Sequence, residues 1–275
     1  MTTDSQTGFA ATAGTQLYWE QRGAGEPVVL IHAGIADSRM WAPQFAAFSS
    51  DYRTVRYDTR GFGRSRFGTG PFSYRGDVIA ILDALDIDRA HLVGLSFGGS
   101  TALETALEFP ARVRSLVLGA TAPRGLVPHT NLLPVWEEVD ALIEAGKIDD
   151  ANELEAQIWV DGPVRATGDV DPAIRNLVLE MNRVSLAAIA EQIDEVEIEP
   201  PVADRLNEIS VPTLILAGEY DQPASIAGPM LLADRIANAE FLMVHGAAHM
   251  LTMEQPEIVN AAVLDFLQRH QAETA

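Results

Sequence analysis

The sequence predicts an α/β fold, a mainly parallel sheet covered by helices on both faces and interrupted by one helical insertion. Three observations predict it. Short apolar, β-branched segments alternate with amphipathic helical ones over most of the 275 residues, as they do when parallel strands are joined by crossover helices. The alternation stops between about Thr121 and Arg205, where helical segments run on without a convincing strand. A lone serine in GLSFG (94–98) stands where a strand turns into a helix.

TQLYWEQRG (15–23) opens the series of strands, followed by VVLIH (28–32), RTVRYD (53–58) and HLVG (91–94). RSLVLG (114–119), TLILAG (213–218) and EFLMVH (240–245) complete it. Between them, YRGDVIAILDAL (74–85) sets Val78, Ile79, Leu82 and Leu85 on one face at helical spacing. TALETALEF stops at Pro110, which cannot continue a helix. ASIAGPMLLADRIAN and PEIVNAAVLDFLQRH are the last two helices, the second with Pro256 in its first turn. Inside the interruption, LPVWEEVDALIEA, ANELEAQIWV and DPAIRNLVLEMNRV read as helices, bordered by the proline-bearing TAPRGLVP and EPPV. The stretch is expected to be inserted at the carboxyl edge of the sheet.

Composition narrows the classes of function. With 47% hydrophobic and 21% charged residues, the chain has an ordinary globular composition. It has no cysteine, which excludes disulfides and thiolate–zinc sites. MTTDSQTGFA has neither the basic nor the apolar region of a secretory signal, and no apolar run would span a bilayer. A cytoplasmic protein is expected. The net charge is −20, Lys147 is the single lysine, and residues 122–205 hold 18 Asp/Glu against 6 Lys/Arg. Such a field repels phosphate backbones and anionic lipid, so neither nucleic acid nor membrane is expected as a partner. The acidity itself serves solubility, and the expected partner is a small-molecule substrate.

The GLSFG pattern arises by chance in about one chain of this length in ten. Its placement carries the reading. On a sharp strand-to-helix bend a serine is held in a strained conformation, and side chains two residues either side would collide. Gly94 and Gly98 remove those collisions and lift the Ser96 hydroxyl beside the positive end of a helix. A serine nucleophile needs a base, and the base an orienting acid. Asp221 follows the strand TLILAG and His249 follows EFLMVH, so the order Ser96, Asp221, His249 places each after a different strand. Glu219, nearer its strand, is the second choice of acid. Of the other histidines, His32 is read as a brace for its loop and His245 as a strand end; His91, His129 and His270 have no partner pattern. A tetrahedral intermediate also needs N–H donors. Phe97, directly after the serine, offers one, and Gly34 in HAGIADSRMW the other, since a residue without a side chain lets backbone approach substrate.

With these residues in place the chain resembles the α/β-hydrolase superfamily, and within it the capped esterase and enol-lactonase-like branch. The resemblance runs through HAG…MW, YDTRGFGRS (57–65), GLSFGG, GEYD and GAAH, nearly the whole length. It implies a mostly parallel eight-stranded sheet, a core of residues 1–121 and 206–275, and a helical cap of residues 122–205 over the pocket. It implies structural roles for Asp58 and Arg60, and no metal or organic cofactor. Ala33 departs from the glycine many relatives carry, which narrows the oxyanion loop without changing its backbone role. Haloalkane dehalogenases and epoxide hydrolases place aspartate at the elbow, and proline iminopeptidases usually carry tryptophan after the serine; neither fits Ser96–Phe97. Enol-lactonases of aromatic degradation take carboxylate-bearing substrates, for which a segment at −12 is a poor match unless an arginine is well placed.

Ile35, Phe97, Thr121 and Met250 adjoin this chemistry in the sequence, while Trp136 and Trp159 are the large aromatics of the insertion. All are expected to line the pocket, the tryptophans in competition with simple helix-on-helix packing. Trp41 is expected in the core. The reading is a serine hydrolase of neutral carboxylic esters or lactones. Perhydrolase side activity, carbon–carbon bond hydrolysis of diketones and a receptor on the same fold remain as alternatives, because fold does not settle function.

Overall fold

The computed structural model describes residues 4–126, 133–188 and 195–271. Among them, eight strands form one sheet: β1 (Gln6–Thr12), β2 (Thr15–Arg22), β3 (Pro27–Ile31), β4 (Arg53–Tyr57), β5 (Ala90–Leu95), β6 (Val113–Gly119), β7 (Thr213–Gly218) and β8 (Ala239–Val244). Their order is β1-β2-β4-β3-β5-β6-β7-β8. The β1–β2 and β2–β4 pairs are antiparallel and every other pair is parallel. The strands read from the sequence agree with β2 to β8 to within a residue at each end. β1 had no such signal. It is an exposed hairpin arm in which Ala10 alone is buried, so no apolar alternation marks it.

The central strands are apolar on both sides because both sides are covered. Successive β3 residues point to opposite faces. Val28 and Leu30 join Phe45 and Phe48 of α1 (Ala42–Phe48) and Phe266 of α9 (Pro256–Arg269). Val29 and Ile31 join residues of α2 (Tyr74–Ala84), α3 (Phe97–Glu108) and α7 (Pro223–Arg235). Ser73 caps α2, its hydroxyl accepting from Gly76 N at 3.2 Å. On α2, Ile81 takes the deeply buried place expected of Ile79, which lies half-buried at the margin. Trp41 is fully buried in the core, as expected.

Between β6 and β7 run α4 (Leu133–Glu144), α5 (Ile148–Ala156) and α6 (Pro172–Ala188), with no strand among the described residues of that stretch. ANELEAQIWV, expected as one α-helix, changes pitch after Ala156 into a π-helical turn, Gln157–Asp161. His129 and part of the TAPRGLVP border lie outside the described residues. A short α8 (Leu251–Glu254) precedes α9. No helix among the described residues is long and apolar enough to cross a membrane.

Candidate active site

Ser96 joins β5 directly to α3 with φ 54° and ψ −114°, a left-handed conformation that costs a non-glycine residue about 1–3 kcal/mol. Neighbouring backbone holds it there. Ser96 N donates to Gly119 O at 2.7 Å and Ser100 N donates to Ser96 O at 3.0 Å. A Cβ on Gly94 would lie 2.3 Å from Gly98 O, and one on Gly98 would lie 2.1 Å from Ile31 O. Both contacts are with backbone, so both positions require glycine. The Ser96 hydroxyl makes no hydrogen bond among the described residues.

His249 and Asp221 come from the loops after β8 and β7. Nδ1 of His249 lies 2.8 Å from Asp221 Oδ2, and both residues are buried. The other Asp221 oxygen accepts from Gln222 N at 2.7 Å. The two loops are tied together by Tyr220 N donating to Ala247 O at 2.9 Å. Glu254 supports the histidine loop, accepting from Ala248 N at 3.0 Å and from Arg165 Nη1 at 2.6 Å. Burial pushes the Glu254 carboxyl above its usual range, against the pull of Arg165. Glu219, the second choice of acid, is exposed and engaged elsewhere. It accepts from Gly246 N at 3.1 Å and faces His245 Nδ1 at 3.3 Å, interactions that hold its carboxyl below the usual range.

The two N–H groups expected to receive the oxyanion come from different places, Gly34 from the loop after β3 and Phe97 from the junction of β5 and α3. Phe97 N opens the first turn of α3, and neither it nor Gly34 N has a hydrogen-bond partner among the described residues. A Cβ built on Gly34 would make ordinary contact with Phe97 Cβ at 3.5 Å. The two backbones are therefore neighbours, and local sterics do not by themselves demand glycine at 34. His32 braces this loop, as its neighbours suggested. Its Nδ1 donates to Ala33 O at 2.8 Å and its Nε2 accepts from Thr59 N at 2.9 Å. Burial pushes this imidazole below its ordinary pKa, in keeping with the neutral tautomer those two bonds require. Asp58 fastens the loop from the other side, accepting from Ser38 N at 2.9 Å and Arg64 N at 2.8 Å. Arg60 donates to both oxygens of buried Asp77, at 2.9 and 2.7 Å.

These groups open on one cavity of about 210 Å³. Ser96, His249, Gly34 and Phe97 meet there, and Ile35, Trp136 and Trp159 form walls. Two residues expected on it are elsewhere. Thr121 is buried with its hydroxyl turned to Gly119 O at 2.8 Å, in space left by the missing side chain of Gly99. Met250 is fully buried in the core, since a side chain next to His249 in sequence leaves the backbone in another direction. The tryptophans both line the cavity and pack on each other. Trp159 lies 4.6 Å from the His249 ring and 5.6 Å from Trp136, centroid to centroid. The π-helical turn that carries Trp159 is docked on the acid and histidine loops. Gln222 Nε2 donates to Ile158 O at 3.1 Å, and Gly162 packs so closely that a Cβ would lie 2.6 Å from Tyr220 O.

Sequence reasoning missed Glu155, which also lines the cavity. The available signal was its position four residues before Trp159 on one helical face. No lysine or arginine is among the residues lining this cavity. A larger hollow of about 510 Å³, between the 61–67 loop and α6, contains none of the three residues Ser96, Asp221 and His249.

The strand order, the elbow and the buried His–Asp pair define a class, and the chain belongs to the α/β-hydrolase family. The family described as alpha/beta hydrolase fold matches residues 26–143. Among individual proteins, 3-oxoadipate enol-lactonase 1 of Acinetobacter baylyi is 32% identical over 227 residues, 80% of each chain. The carboxylesterase YbfK of Bacillus subtilis is 28% identical over 262 residues, covering 87% of this chain and 79% of that one. The enol-lactonase structure from Burkholderia xenovorans LB400 superposes with a TM-score of 0.80 at 28% identity, covering 95% of this chain and all of that one.

Proposed function

We propose that the protein is a serine hydrolase of carboxylic esters and lactones that carry no anionic group, working through an acyl-enzyme. The observation that carries this reading is the strained Ser96 opening, together with His249 of the His249–Asp221 pair and two unpartnered N–H groups, on one cavity. Ser96 Oγ attacks the acyl carbon as His249 Nε2 accepts its proton, and Asp221 holds the Nδ1–H tautomer and stabilises the imidazolium. Phe97 N and Gly34 N receive the developing oxyanion, each worth about 3 kcal/mol. The imidazolium then protonates the leaving alkoxide. Water, activated by the same histidine, releases the acid and restores Ser96. The helices between β6 and β7 act as the cap, presenting Trp136 and Trp159 to the substrate. The lactone part of the reading draws on the enol-lactonase relatives.

The test is a chromogenic ester panel from acetyl to dodecanoyl, run with the protein and with Ser96→Ala. The variant is expected to lose about 10⁶-fold in kcat while keeping its melting temperature, and chain-length dependence then sizes the pocket. Activity is also expected to fall on the acid side as the imidazole base is protonated. Ester hydrolysis retained by Ser96→Ala would overturn the assignment. Labelling of Ser96 by a fluorophosphonate without turnover of any ester would keep the nucleophile and reject the substrate class. Turnover of diketones far above esters would favour carbon–carbon bond cleavage.

A further inference from the structure

One carboxyl group stands in the cavity with no basic side chain to answer it. Glu155, on α5, is 9% exposed and shares the cavity wall with Trp136 and Trp159. Its Oε2 accepts from Asn182 Nδ2 at 2.5 Å. Asn182 is itself fixed, its Nδ2 also donating to Asn152 Oδ1 at 3.0 Å and its Oδ1 accepting from Ser185 Oγ at 3.1 Å. Asn152 Nδ2 donates in turn to Leu179 O at 2.8 Å. A network across α5 and α6 therefore holds the carboxyl in one place. Its other oxygen, Oε1, has no hydrogen bond among the described residues. Burial pushes this carboxyl above its usual range, and Asp140 on α4 adds in the same direction. The free oxygen is open to the cavity, where a donor on a bound molecule can complete the carboxylate.

We infer, on the esterase and lactonase reading above, that Glu155 is the specificity-determining residue of this site and that the favoured substrate carries a protonated amine donating to Glu155 Oε1. Three observations point to a cation rather than an uncharged donor. No lysine or arginine lines the cavity, so a hydroxyl would satisfy Oε1 and still leave the charge without a counterion. The Trp136 and Trp159 rings, 5.6 Å apart, line the same cavity as the carboxyl, and an alkylammonium set against an aromatic face gains from the ring quadrupole. The net charge of −20 draws cations toward the molecule and repels anions. The same arrangement opposes a carboxylate-bearing substrate, so this chain is expected to differ in selectivity from the 3-oxoadipate enol-lactonase it resembles.

The test compares esters that differ only in N–H⁺ against C–H. Dimethylaminoethyl acetate is paired with isoamyl acetate, placing the amine on the alcohol side. Methyl dimethylaminobutanoate is paired with methyl isoheptanoate, placing it on the acyl side. At neutral pH the wild-type kcat/KM is expected to favour the amine in at least one pair by about tenfold or more. Glu155→Gln keeps the size and an oxygen for Asn182 but removes the charge, and should bring that ratio close to one through a higher KM for the amine ester. Wild-type ratios at or below one in both pairs overturn the inference, whether or not the variant folds. A preference that survives Glu155→Gln belongs to the general field and removes Glu155 from the role. If the chromogenic panel is hydrolysed and none of these four esters is, the amine class is wrong and the esterase reading stands. If no ester is hydrolysed and a fluorophosphonate fails to label Ser96, the reading of the site fails and the inference falls with it.

Discussion

Asp221 and Glu219 stand two residues apart on one loop, and direction decides which of them faces His249. Asp221 is buried against Nδ1 at 2.8 Å, while Glu219 faces out to Gly246 and His245. Asp221→Asn is expected to lower kcat by about 10⁴-fold, because the wrong imidazole tautomer is then held. Glu219→Gln should change it by less than about threefold, the usual scale for an exposed residue off the site. Steady-state kinetics of the two variants checks this, and the reverse ranking would transfer the role. Ser96, Asp221 and His249 stood out in the sequence because each lies in the segment after a strand. Ser96 is next to the end of β5 and the others lie in the loops that follow β7 and β8, and strand ends fix where those loops begin. Thr121 and Met250 were misplaced for a related reason: position along the chain locates Cα but not the side-chain direction. Glu155 escaped notice because an acidic residue on a helix is ordinarily solvated. Only the packing of α5 against α6 turns it inward.

At the scale of elements, the central strands β3, β5, β6 and β7 were legible because burial on both faces writes them as near-continuous apolar runs. β1, open to solvent, carries no such record. The π-helical turn was hidden as well, since ANELEAQIWV has ordinary helical composition and its change of pitch comes from tertiary contacts. Gly162 ends that turn at φ 76°, pressed against Tyr220 O. Gly162→Ala must therefore push the turn away from the loop that carries Asp221. A loss of about 1–3 kcal/mol is expected from the strained φ and the contact. With Trp159 displaced from His249, kcat/KM should also fall about tenfold, as small misplacements near the reacting atoms do. Thermal melts and ester kinetics measure the two effects separately. A lowered melting temperature with unchanged kinetics would show the turn to be structural only.

For the molecule as a whole, two of the buried histidines, His32 and His91, are expected to shape the response to mild acid. Burial holds His32 and His91 below the 6.5 of an unfolded chain. Below that value the unfolded state binds protons that the folded state refuses, so this stability is complete above about 6.5 and is lost as pH falls. Each group contributes at most about 1.4 kcal/mol per pH unit. Glu104, Glu155 and Glu254, raised by burial, act in the opposite sense from 4.5 upward, because the folded state protonates them first. The melting temperature is expected to drop between pH 7.5 and 5.5, and less steeply in His91→Gln, which retains a partner for Ser115. An equal slope in that variant would assign the acid response to other groups.

β6 and β7 are neighbours in the sheet, with Leu116 opposite Thr213 and Gly119 opposite Leu216. The long excursion that brings Trp136, Glu155 and Trp159 to the cavity thus departs from and returns to adjacent strands. Closing so long a loop costs little more than closing a short one, and its length makes no demand on the sheet beneath. On the proposed reading, the reacting residues and much of the cavity wall lie on separate stretches of chain. Under that reading, variation in the excursion would change which molecule is admitted, generation by generation, while the strand ends kept the proposed chemistry.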